Sequence, residues 1–108
     1  MKMRVVFDKE YDLLSGIYRV RVRELEFDEE LRNVVNGLDP IIRINGEDIK
    51  LSELREKSFE LQTRESAEKI MGEIRGALIE SLSALIARFK EAQSFNGSVS
   101  YEIDFNEL

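Results

Sequence analysis

Hydrophobic residues alternate with polar ones in several short stretches of this chain and recur at helical spacing in two others. Residues 2–8 put Met3, Val5 and Phe7 on one side of a strand. The next seven residues are charged or polar apart from Tyr11, Leu13 and Leu14, and Gly16 marks a turn. Over residues 17–27, Tyr18, Val20 and Val22 hold even positions, with Arg19, Arg21 and Arg23 facing the other way. After Arg23 the apolar positions become odd, at Leu25 and Phe27. A period of two cannot change faces without an extra residue, so the pattern predicts a bulge or bend near Arg23 and Glu24.

Asp28, followed by Glu29 and Glu30, fits the start of a short helix with Leu31, Val34 and Val35 on its apolar side and Gly37 as its stop. Pro40 excludes helix at Asp39 and opens a new strand. The apolar runs 41–44 and 49–51 flank Asn45 and Gly46, a strong signal for a hairpin. Ser52 is positioned to cap a single turn over 54–57, and 58–62 is expected to be a strand with Phe59 and Leu61 inward. Residues 64–94 read as one long helix with Thr63 as its cap and Asn96 and Gly97 closing it. In the segment 98–105, Val99, Tyr101, Ile103 and Phe105 alternate with Ser98, Ser100, Glu102 and Asp104, which predicts a final strand.

The long helix carries most of the information. At the helical rise it spans roughly 46 Å, whereas a compact domain of this length is about 34 Å across, so the helix is expected to overhang. Ala67, Ile70, Met71, Ile74, Leu78, Leu82, Leu85 and Phe89 form its main apolar stripe. Ile79 and Ile86 widen the stripe on one flank, Ala77 and Ala84 on the other. On the opposite side, Gly72, Gly76, Ser83 and Ala87 fall close together. Glycine inside a helix costs about 1 kcal/mol relative to alanine. Close approach of a second helix from a two-fold-related copy would offset that cost. Tolerated flexibility, a bend, or a seat for the short helix of the same chain are the competing explanations.

Composition narrows the chemistry. The 108 residues include neither cysteine nor histidine. Disulfides, Cys/His zinc sites and histidine-based catalysis are therefore excluded within the chain, and no cofactor or metal is expected. The net charge of −6 opposes nucleic acid and anionic membranes. No stretch has the length of a membrane span and none resembles a signal peptide, so the expected location is the cytoplasm. The usage of Glu, Arg and Lys is that of heat-adapted proteins.

Arg19, Arg21 and Arg23 form a basic row of the kind that contacts phosphates. No aromatic residue is interleaved with them, and cross-strand pairing with Glu60, Glu102 and Asp104 explains them without a ligand. The acidic runs Glu24, Glu26, Asp28, Glu29, Glu30 and Asp8, Glu10, Asp12 lack the spacing of a calcium loop. No glycine-rich phosphate loop occurs.

The expected fold is a single α+β domain over 1–108, an antiparallel sheet of about four to six strands with one long helix across a face and one short helix. No residue motif names a reaction. The leading expectation is a small acidic, non-enzymatic interaction protein that forms a homodimer through Gly72, Gly76, Ser83 and Ala87, with a partner of different sequence as the remaining option for that face. A nucleic-acid-associated protein using the arginine row and an enzyme with a carboxylate- or lysine-based site are the alternatives.

Overall fold

Antiparallel pairing of β1 (Met3–Tyr11) with β2 (Tyr18–Phe27) begins the fold in the computed structural model, which describes residues 1–107. Val6 lies opposite Glu24 while Phe7 lies opposite Val22, so Arg23 is the extra residue of a bulge in β2. That residue keeps Val20, Val22, Leu25 and Phe27 on one face despite their change of parity. β1 runs three residues further than its apolar pattern suggests. Lys9 and Glu10 pair across to Val20 and Arg19, and the rings of Tyr11 and Tyr18 lie 4.8 Å apart.

Asp28 joins the start of β1 to α1 (Glu29–Val35). Its carboxylate accepts from the Leu31 N–H at 2.9 Å, as an N-cap, and from the Lys2 N–H at 2.7 Å. Gly37, at φ +75°, turns the chain out of α1. β3 (Ile41–Ile44) and β4 (Glu47–Lys50) then form the hairpin, with Asn45 and Gly46 both at positive φ, as a two-residue turn requires. Ser52 does not cap the following 3-10 turn, Leu51–Glu56. It binds Asp39 instead, through its N–H at 2.9 Å and its hydroxyl at 2.6 Å.

β5 (Ser58–Leu61) pairs with the other side of β2, and Thr63 caps α2 (Arg64–Phe95) by accepting from the Ser66 N–H at 3.0 Å. The α+β class holds, with a different sheet arrangement from that expected. A three-stranded sheet, ordered β1–β2–β5, and a separate two-stranded hairpin replace a single sheet of four to six strands. The segment 98–104 is not a strand, and a short 3-10 turn follows at Phe105–Glu107. Its alternation is suited to a strand, but it pairs with neither sheet.

One core joins the two sheets. Val20 and Val22, Ile42, Ile44 and Ile49, and Leu51 and Leu54 pack with Ala67, Ile70, Ile74 and Leu78 of α2. Leu31 and Val34 of α1 are buried farther along, as is Leu82. Leu82 is the last buried residue of α2, and about 20 Å of helix continues past it. The molecule accordingly measures 87 × 26 × 18 Å.

Candidate functional site

The arginine row sits on the solvent face of β2 and is neutralised by its neighbours. Arg19 contacts Glu10 at 3.0 Å, Asp12 at 3.2 Å and Glu60 at 3.2 Å, while Arg21 and Arg23 share Asp8 at 3.2 and 3.3 Å. The cross-strand register produces this directly, since Arg19 lies opposite both Glu10 and Glu60, and Arg21 opposite Asp8. Hydrogen bonds to Glu10, Glu60 and Asp12 raise the guanidinium pKa of Arg19. Glu102 and Asp104, expected among the partners, pair with none of these arginines. The same contacts account for Asp8, Glu10 and Asp12, and capping accounts for Asp28. Among the described residues no group of three or more carboxylates converges as a metal site would, and no helix is long and apolar enough to cross a membrane.

The small-residue face of α2 is open. Gly72, Gly76, Ser83 and Ala87 are all exposed, and a Cβ built on either glycine meets nothing within 4 Å. The short helix α1 therefore does not sit on these glycines. On the adjoining flank Ile79 is 46% exposed and Ile86 only half-buried, as are Leu85 and Phe89 in the main stripe. At the end of the helix Phe95 is 83% exposed, and Val99, Tyr101, Ile103 and Phe105 beyond it are 66–84% exposed. Exposed apolar residues thus continue from α2 into the segment beyond it.

The other flank of α2 borders a groove of about 790 Å³. One wall is Glu73, Ala77, Glu80, Ser81, Ala84, Leu85 and Arg88, and the other is the chain from Pro40 to Arg43 with Gly46 of the hairpin turn. No residue of β4 lines it, so it follows the edge of β3 away from β4. The short side chains of Ala77, Ser81 and Ala84 create its width. Sequence periodicity marked Ala77 and Ala84 only as a widened stripe; the groove depends on where the hairpin docks, which no local pattern encodes.

No family model, curated protein or solved structure matches this chain.

Proposed function

We propose that this chain is a small non-enzymatic interaction protein that works as a homodimer joined through α2, in the cytoplasm. The observation that carries the reading is the apolar surface of α2 that stays open to solvent, with Ile79 46% and Phe95 83% exposed and Leu85, Ile86 and Phe89 only partly buried. Burial of such surface is worth about 25 cal/mol per Å², and a two-fold contact buries it on both copies at once. The open glycine face adjoins Ile79 and Ile86 and would let the partner helix approach closely. Light scattering after size exclusion tests the reading. A mass of twice 12.6 kDa that persists on dilution supports it, and a monomer at every concentration defeats it.

A further inference from the structure

Among the described residues, the segment after α2 has the pattern of a strand and no strand beside it, while β3 has a free edge and no strand beside that edge. Ile44 and Glu47 flank the two-residue turn and exchange hydrogen bonds, as such hairpins do, and alternation assigns the next bonded pair to Ile42 and Ile49. The Leu51 N–H, bonded to the Pro40 carbonyl at 3.0 Å, continues that alternation. The backbone N–H and C=O groups of Ile41 and Arg43 therefore point away from β4, along the groove beside α2.

We propose that segment 98–105 of a second copy occupies this groove as an added strand on β3, so that the dimer exchanges strands as well as pairing helices. This inference rests on the self-association proposed above and names the segment that completes it. An added strand continues the two faces of its neighbour. On the inner face, Val99, Tyr101, Ile103 and Phe105 would lie beside Ile42 and Ile44 and against Ala77, Ala84 and Leu85 of α2. On the outer face, Glu102 and Asp104 would lie beside Arg43, with Arg88 at the far end of the groove. Glu80 is the opposing charge on the helix wall. Glu73 is already engaged, because it accepts from the Asn45 N–H at 2.7 Å. The edges of the three-stranded sheet fit less well: β5 would set Glu60, and β1 would set Asp8 and Glu10, beside the same two acids.

Reach decides between the chain's own segment and that of a second copy. As a strand, 99–105 covers about 20 Å, the rise of about 13 helical residues. Folding back at Gly97, it would end roughly level with Ser81. Arg43, by contrast, stands close to the hairpin turn that Glu73 holds. The chain's own segment stops short of it, and a second copy's does not.

Amide exchange at Ile41 and Arg43, read together with solution mass, tests this for the native chain, for Tyr101→Asp/Ile103→Asp and for Gly72→Leu/Gly76→Leu. The expected result is a native dimer in which both amides exchange at least about ten-fold more slowly than in the Tyr101→Asp/Ile103→Asp variant. A native dimer with both amides open overturns the strand exchange and leaves helix pairing standing. Protected amides in a monomer overturn it in favour of the chain's own segment. A Gly72→Leu/Gly76→Leu variant that stays dimeric and protected keeps the strand exchange and defeats the glycine-face contact.

Discussion

Glu73 of α2 accepts a 2.7 Å hydrogen bond from the backbone N–H of Asn45, at the tip of the β3–β4 hairpin. Asn45 is the only non-glycine at positive φ among the described residues, so the bond holds the chain where its backbone is most constrained. It also fixes the hairpin against the helix and thereby sets the groove between them. Glu73→Ala is expected to release the Asn45 amide. At a net worth of about 1 kcal/mol for one such bond, exchange at Asn45 should accelerate about five-fold, with little change in exchange at Val20 or Val22.

The bulge at Arg23 reconciles the change of parity with a single buried face. Deleting Arg23 would bring Leu25 and Phe27 into the same period of two as Val20 and Val22, so a regular ladder would keep both on the core face. The deletion should therefore leave the midpoint in urea close to the native one, as should Arg23→Ala, which removes only a surface ion pair to Asp8. Leu25→Ser/Phe27→Ser keeps the bulge but removes two side chains that are partly buried against the core, and should cost about 2–3 kcal/mol. A deletion as damaging as that double substitution would mean that the bulge itself, and not only the face it restores, is needed.

The glycines of α2 separate folding from association. Neither Gly72 nor Gly76 has a neighbour that a Cβ would strike. Gly72→Ala/Gly76→Ala should therefore stabilise the monomer by up to about 2 kcal/mol through helix propensity alone. Gly72→Leu/Gly76→Leu should also leave the monomer folded, yet weaken the dimer at least ten-fold if a partner backbone approaches there. Circular dichroism melts and sedimentation, compared at one concentration, would show the two effects with opposite signs.

The local devices were legible in the sequence because each depends on a few adjacent residues. Asp28 and Thr63 cap helices, Asn45 and Gly46 turn the hairpin, and the parity change at Arg23 is a bulge. The extension of β1 through Lys9 and Glu10 was not legible, since those charged residues are held by Arg19 and Val20 across the sheet. The division into two sheets depends on pairing between distant segments, which alternation does not encode. Segment 98–105 shows the limit most clearly, because its pattern says that it suits a strand and says nothing about whose edge it would join. Of the three partners expected for the arginine row, Glu60 alone pairs with it, at Arg19; Asp8, Glu10 and Asp12 became partners only once β1 lengthened. The open glycine face is a property of α2 that periodicity suggested, whereas the β3 groove appears only in three dimensions.

Acid should weaken the fold through three aspartates. Asp28 is held below the usual carboxylate range chiefly by the Leu31 N–H, Asp12 chiefly by the Leu14 N–H, and Asp39 chiefly by the Ser52 hydroxyl. A carboxylate whose pKa is lower in the folded chain binds its proton more readily when unfolded. The stability it contributes is therefore complete above the unfolded value, near 3.8, and disappears as pH falls through the folded value. Thermal midpoints should stay nearly level from pH 7 to about pH 5 as far as these groups govern them, then drop as the pH falls below about 4. Asp28→Asn retains an oxygen able to cap α1 but cannot titrate. Its midpoint should lie below the native one at pH 7, and the gap should narrow as the pH falls through the range where Asp28 takes up its proton. A gap that stays constant from pH 7 to pH 2.5 would show that the charge on Asp28 does not contribute to stability.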